Sequence, residues 1–162
     1  MRNTVKTGIV FAVLMFMIFS CCFCFSVSAA DNNTRLFDYD NSISDSEESR
    51  LNELIQTASQ KEQINIAVVF TSATQGKSSM DYADDFYDDL FGINTDGILL
   101  LVDHCNSNVW ISTSGSALIT YDVDRMPEMF SKLLHKGKNV EAVEKFIEYT
   151  DPDLLTKEIK IK

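Results

Sequence analysis

Five aspartates crowd a segment that is predicted to be one helix: Asp81, Asp84, Asp85, Asp88 and Asp89. Like charges four residues apart destabilise a helix by about 0.2 to 0.5 kcal/mol per pair. The last two aspartates also lie near the end of the helix, where its dipole disfavours anions. A nearby cation would relieve this repulsion, but a solvated acidic face of an acidic protein has the same pattern. Both interpretations stay open.

Other carboxylates are expected near the C-terminal end of this helix. Asp96 stands at the head of a predicted strand, Asp103 follows that strand, and two more acids precede a later helix. Ca²⁺ accepts about six to eight oxygen ligands in flexible geometry, which suits scattered carboxylates better than Zn²⁺ would. The sequence therefore predicts a Ca²⁺ site with these candidate ligands: Asp85, Asp88, Asp89, Asp96, Asp103, Asp122 and Asp124.

Motifs for hydrolysis are weak. Asp38-Tyr39-Asp40 mimics an aspartyl-phosphate nucleophile, but no apolar strand precedes it. The sequence has no Gly-x-Ser-x-Gly, no phosphate-binding glycine-rich loop and no Cys or His cluster at zinc spacing. We expect His104 to be a turn residue and His135 a helix-end cation. Any phosphatase chemistry would have to use a metal and carboxylates.

The composition limits the class of protein. The 162 residues include 14 Lys and Arg against 24 Asp and Glu, so the net charge is -10. A chain of this size forms one domain and buries roughly two thirds of its unfolded surface. The 45% hydrophobic content, with only six Gly and two Pro, excludes a disordered or collagen-like chain. A nucleic-acid partner is not expected, because binding phosphates needs a basic face.

The N-terminus carries a predicted export signal. Arg2 and Lys6 precede an apolar run over residues 8–25, and small residues follow as far as Ala30. This pattern is typical of a signal peptide cleaved after Ala30. Two alternatives stay open, because the run is almost long enough to remain as an anchor and Cys21 could be acylated as in a lipoprotein. We expect a secreted or envelope protein whose membrane contact would require an uncleaved N-terminal segment.

Helices are predicted from capping residues and apolar spacing. Ser44 and Glu47 form a capping-box pattern before the first helix, and Ser78 or Ser79 begins the second. A third helix ends at Gly137 and a fourth follows it directly. The second helix is expected to bury the stripe Met80, Ala83, Tyr87 and Leu90.

Three apolar, β-branched runs predict buried strands at residues 64–71, 97–102 and 109–113. The short polar link between the last two favours an antiparallel hairpin. Residues 31–43 are predicted to be a polar lead-in. The pattern predicts an α/β fold, a three-layer α/β/α sandwich with a small mixed sheet. The organisation expected is a signal peptide over 1–30, a domain over 31–151 and a tail over 152–162.

Several segments together resemble the TPM domain family: Ile43-Ser44 with Glu47, Ile66-Ala67-Val68-Val69, Tyr82-Ala83-Asp84-Asp85-Phe86-Tyr87, Asp96-Gly97-Ile98-Leu99-Leu100-Leu101 and Ile111-Ser112-Thr113-Ser114-Gly115. The resemblance covers about residues 36–151. It implies an extracytoplasmic α/β/α domain, found in bacterial envelope proteins, in a thylakoid protein linked to photosystem II repair and in an animal receptor accessory protein. Some members are similar to weak acid phosphatases, and some bind Ca²⁺.

The sequence departs from the family pattern at three places. Gly115-Ser116-Ala117 keeps only the first glycine of the usual Gly-aromatic-Gly. Val123, flanked by Asp122 and Asp124, stands where the family usually has an acid. An Asp-Arg pair common in the hairpin turn is not found in residues 103–108.

Two classes of function follow. One is a non-enzymatic binding or accessory module that supports a membrane protein complex; the other is a weak metal-dependent acid phosphatase acting on phosphomonoesters. The sequence provides no preorganised nucleophile or basic phosphate pocket, and a net charge of -10 repels anionic substrates. We therefore favour the binding module, with an unidentified protein partner at the cell envelope.

Overall fold

The computed structural model describes residues 33–120 and 126–151. The predicted signal peptide, the tail, Asp122 and Asp124 lie outside the described residues. None of the described helices combines the length and the apolar character needed to cross a membrane. The elements in chain order are β1 (Leu36–Asp38), α1 (Asp45–Glu62), β2 (Asn65–Thr71), α2 (Ser79–Phe91), β3 (Gly97–Asp103), β4 (Asn108–Ser114), α3 (Ala117–Thr120), α4 (Met126–Leu134) and α5 (Asn139–Thr150).

The four strands form one mixed sheet in the order β1-β2-β3-β4. The first three strands are parallel, and β4 pairs antiparallel with β3. The register pairs Gly97 with Ser114 at one end of the hairpin and Asp103 with Asn108 at the other. The predicted α/β fold with a mixed sheet and an antiparallel hairpin is therefore confirmed.

The two faces of the sheet are covered unequally. Side chains alternate along each strand, so Val68 and Leu100 face a large core built with α1, α4 and α5. Val69 and Leu101 face the opposite side, where the helical residues packed against them come from α2. Among the described residues, α2 thus covers one face of the sheet, whereas three helices cover the other face.

The strand β1 lies in the segment predicted to be a polar lead-in, and that prediction is wrong for residues 36–38. The strand has three residues, which is too short for an alternation of apolar and polar side chains to be recognised. Its position is set by α1, where the Asn52 side chain accepts hydrogen bonds from the N–H groups of Arg35 and Leu36 at 2.7 and 3.1 Å. This contact joins residues that are distant in sequence, so local patterns do not reveal it.

The helix starts follow the sequence only in part. Ser44 occupies the N-cap of α1, but its hydroxyl pairs with that of Ser46 at 3.2 Å, and no side-chain capping bond forms. Glu47 instead accepts a hydrogen bond from Arg50 at 2.7 Å. At α2, Ser78 makes the predicted capping bond, accepting from the N–H of Asp81 at 3.1 Å.

The buried stripe of α2 begins at a different residue from the one predicted. Ala83 and Tyr87 are buried, but Met80 is 45% exposed, so its assignment to the stripe was wrong. Ser79 takes the buried place in the first turn, because its hydroxyl donates to the buried carboxylate of Asp103 at 2.6 Å. A hydrogen bond thus outweighs hydrophobicity at this position.

Gly97 begins β3 at a point of close approach. A Cβ atom there would lie 2.3 Å from the backbone oxygen of Asn65 and 2.3 Å from the phenolic oxygen of Tyr87. Both neighbours are held by the fold, since Asn65 belongs to β2 and the Tyr87 hydroxyl donates to the backbone oxygen of Thr95 at 3.1 Å. Only glycine therefore fits here without displacing β2 or α2.

The Gly97→Ala substitution is expected to lower the free energy of unfolding by about 3 kcal/mol, because the added methyl group has no space. Urea unfolding of the two proteins measures the change. Gly76→Ala is the control: its Cβ would meet nothing within 4 Å, although its φ of +80° is unfavourable for alanine. That variant is expected to lose about 1 kcal/mol. Equal losses would contradict the close approach at Gly97.

Candidate functional site

The candidate calcium ligands do not form one cluster. Asp96 and Asp103 lie at opposite ends of β3, and seven strand residues separate them by about 23 Å. One ion cannot bind both. Asp122 and Asp124 are outside the described residues. Within residues 33–120 and 126–151, no three His, Cys, Asp or Glu side chains are grouped so that they could hold a metal ion.

The aspartates of α2 point to different neighbours. Asp84 accepts a hydrogen bond from the Ser112 hydroxyl of β4 at 2.5 Å. Asp85 and Asp89 line a cleft on the opposite flank of the helix. Asp88 is exposed and follows Tyr87 directly in the chain. Burial raises the pKa of the Tyr87 phenol, and the charges of Asp96 and Asp88 raise it further.

Asp96 closes the turn after β4. Its Oδ1 accepts a hydrogen bond from the N–H of Ser116 at 2.6 Å. Gly115 has a φ of +62°, and a Cβ there would lie 2.0 Å from the same oxygen. The first glycine of the family's Gly-aromatic-Gly motif is thus needed for backbone reasons, whether or not a ligand binds.

Asp103 is a fully buried carboxylate that joins α2 to the hairpin. Its oxygens accept hydrogen bonds from the Ser79 hydroxyl at 2.6 Å, the Asn106 amide at 2.7 Å and the Asn106 N–H at 3.0 Å. The Asn108 amide also donates to Ser79 at 3.0 Å. Burial alone would raise the pKa of Asp103, but these hydrogen bonds hold it below its ordinary value.

A second polar cluster lies at the carboxyl ends of the parallel strands. Asp40 accepts hydrogen bonds from the N–H and hydroxyl of Ser72 at 2.9 and 2.8 Å, and its other oxygen lies 2.6 Å from Nδ1 of His104. Burial would raise the pKa of Asp40, but the bonds from Ser72 and His104 lower it. Asp40 therefore bridges the Ser72 hydroxyl and the His104 imidazole and orients both side chains.

This cluster could not be predicted from the sequence, because 64 residues separate its members Asp40 and His104. The aspartyl-phosphate-like motif is also occupied by the fold, since Asp38 accepts hydrogen bonds from the N–H groups of Asp40 and Ile43 at 3.3 and 2.8 Å. His104 and His135, the two histidines of the chain, line a cavity of about 100 Å³.

The larger cleft lies between α2 and the loop after β2, and we call it the aromatic cleft. It has a volume of about 490 Å³, and its walls include Tyr39, Thr71, Gln75, Lys77, Tyr82, Asp85, Phe86 and Asp89. Tyr39 is 58% exposed. The ring centroids of Tyr82 and Tyr39 lie 6.1 and 6.5 Å from that of Phe86, and Phe37 packs edge-on to Phe86 at 5.2 Å.

Asp103→Asn is expected to lower the free energy of unfolding by about 1 to 3 kcal/mol at neutral pH. The NH₂ group of the new side chain would face groups that now donate hydrogen bonds to Asp103, so these buried donors would lose an acceptor. Urea unfolding measures this loss. The control is Asp88→Asn, an exposed acid on α2, which should change stability by less than about 0.5 kcal/mol.

The pH dependence of stability in wild type and Asp103→Asn tests the same role of Asp103. Because the folded pKa of Asp103 is lowered, its ionised form stabilises the protein fully above the unfolded value of about 4. This stabilisation is lost as the pH falls through the folded pKa. We expect the stability of Asp103→Asn to fall less steeply than wild type below about pH 4. Parallel curves would contradict this role.

Comparisons with known proteins concern the family and the fold. The TPM domain family model matches residues 36–149. The N-terminal domain of a protein from P. gingivalis is similar in structure, with a TM-score of 0.65 and 17% identity, over 77% of this chain and 87% of that one. An N-terminal domain from Corynebacterium glutamicum has a TM-score of 0.60 and 18% identity, over 75% and 80%. The comparison with curated proteins gave no match. Because the family model covers most of the chain, the protein belongs to the TPM domain family.

Proposed function

We propose that this protein is a non-enzymatic binding module, secreted or held at the cell envelope, which docks a partner protein of a membrane complex through its aromatic cleft. The observation that carries this proposal is the partly exposed aromatic surface beside α2. Tyr39 is 58% exposed, and Phe37, Tyr82 and Phe86 are only partly buried. Exposed apolar patches rimmed by polar residues are typical of interaction sites, and tyrosine is enriched among residues that dominate binding.

The geometry gives less support to a phosphatase. At the carboxyl ends of the parallel strands, where α/β folds usually bind ligands, Asp38, Asp40 and Asp103 accept hydrogen bonds from the protein itself. These bonds stabilise the loops and lower the basicity of Asp40 and Asp103. The net charge of -10 also opposes the approach of a phosphomonoester.

Calcium binding is a further part of the proposal, restricted to the end of the sheet where β3 begins. Asp88 in the last turn of α2 and Asp96 at the head of β3 support it, because the charges of both raise the pKa of the Tyr87 hydroxyl. Extracellular modules bind Ca²⁺ with Kd values of about 10⁻⁴ to 10⁻³ M. At this affinity, an ion would be bound only where millimolar Ca²⁺ is present, as outside the cell.

The docking surface is tested by replacing Tyr39 with the photo-crosslinking residue benzoylphenylalanine. We expect illumination in envelope preparations from the native host to give a discrete protein adduct, because Tyr39 lines the aromatic cleft and is exposed. Benzoylphenylalanine at Glu53, an exposed residue of α1, is the control and should give none. Excess wild-type protein should remove the adduct, whereas excess Phe86→Ser protein should not.

Two outcomes would contradict this proposal. Adducts of equal yield from positions 39 and 53 would contradict docking at the cleft. Hydrolysis of a chromogenic phosphomonoester by the purified protein, abolished by both Asp40→Asn and His104→Ala while these variants stay folded, would contradict the non-enzymatic assignment.

The calcium proposal is tested by thermal unfolding in Ca²⁺ and in Mg²⁺ at equal ionic strength. Ca²⁺ should raise Tm more than Mg²⁺, since a hundredfold excess over Kd adds about 2.7 kcal/mol of stability. Asp96→Asn should abolish the difference between the ions. Asp89→Asn, which removes an equal charge from the cleft side of α2, should keep it. Equal shifts with both ions would indicate screening alone and contradict the site.

A further inference from the structure

The aromatic cleft already contains a cation of the chain itself. Nζ of Lys77 lies 2.6 Å from Oδ2 of Asp85, and both side chains are largely exposed. Asp89, one helical turn further along α2, also lines the cleft. The hydrogen bond and charge of Asp85, together with the charge of Asp89, raise the pKa of the Lys77 ammonium. The electrostatic field inside the cleft therefore favours a positively charged group.

The aromatic rings select among cations. Tyr82 and Phe86 lie nearly parallel, with an interplanar angle of 27°, and Tyr39 meets Phe86 at 70°. Faces of aromatic rings attract cations. A guanidinium group stacks on them better than an ammonium group, because it is planar and more weakly hydrated. A carboxylate beside stacked rings thus matches arginine more closely than lysine.

The cleft has room for an additional side chain. Its volume of about 490 Å³ is that of a small-ligand site, and Lys77 is one of its wall residues rather than its filling. Ion pairs between exposed side chains are weak. An incoming guanidinium can therefore replace Lys77 on Asp85, while the lysine side chain turns to solvent.

From these contacts we propose that the aromatic cleft receives an arginine side chain from a basic segment of the partner protein. The guanidinium pairs with Asp85 and Asp89 and stacks on the rings of Tyr82 and Phe86. Lys77 occupies the same carboxylate in the unbound protein and competes with the arginine. This inference rests on the proposed function, since it names the chemistry of the partner that the cleft binds.

The probe is an acetylated Arg-Gly-Arg amide, with the Lys-Gly-Lys amide as its charge-matched counterpart. Calorimetric titration of the full chain is expected to give a Kd for the arginine peptide about two- to fivefold lower than for the lysine peptide. Choline is the third ligand, because it shows whether a free quaternary ammonium compound is preferred. Tighter binding of choline than of the arginine peptide would overturn the assignment to a protein side chain.

Substitutions of acidic and basic residues inside and outside the cleft distinguish binding at the cleft from attraction by the overall charge of the protein. Asp85→Asn should weaken arginine-peptide binding about two- to fivefold. Glu53→Gln, which removes an equal charge from an exposed position of α1 outside the cleft, should change it less than about 1.5-fold. Lys77→Met should strengthen binding, whereas Lys132→Met, which breaks the exposed ion pair with Glu128 on α4, should not. Tyr39→Ser should weaken it at constant charge.

Equal effects of Asp85→Asn and Glu53→Gln, or of the two lysine variants, would overturn the inference, because they indicate unspecific attraction. Failure of both peptides to bind, with the Tyr39 cross-link still present, would also overturn it while leaving the docking function intact. Selective binding of the arginine peptide without any cross-linked protein would contradict the docking function but support the arginine site.

Discussion

The two central strands are buried on both faces, and the rest of the structure follows from this constraint. Every residue of β3 is buried, as are the last six residues of β2. Such strands require helices on both sides of the sheet. The helices α1, α4 and α5 bury one face, and α2 covers the described part of the other. A single helix is narrower than a four-stranded sheet, so the aromatic side chains along its β1 flank stay partly exposed.

The carboxylates of this acidic domain divide into two groups by location. The carboxylates at the strand ends accept hydrogen bonds from neighbouring groups of the protein and stabilise the ends of the strands. They are Asp38, Asp40, Asp96 and Asp103. Asp85 and Asp89 instead line a cleft with aromatic walls. The hydrogen bonds of the first group contribute to folding, whereas the partner of Asp85 is the exposed ammonium group of Lys77. This division supports the proposed binding function over hydrolysis.

The main elements could be predicted because their signals are local. β2 and β3 are continuous apolar runs, the link between β3 and β4 is short, and Ser78 caps α2 as its position suggests. β1 could not be predicted, since three residues show no period and α1 positions them through Asn52. Met80 was misplaced because hydrophobicity alone could not show that Asp103 holds Ser79 in the core.

The sequence by itself determined the fold class, the family and the acidic face of α2, because these depend on period, segment order and composition. The tertiary structure alone decided which acids meet. It separated Asp96 from Asp103 along the full length of β3, joined Asp40 to His104, and set Tyr39 beside Phe86. A sequence gives the charged residues but not the distances between them. The length of the strands and the direction of α2 across the sheet set these distances. Both depend on contacts between residues far apart in the chain.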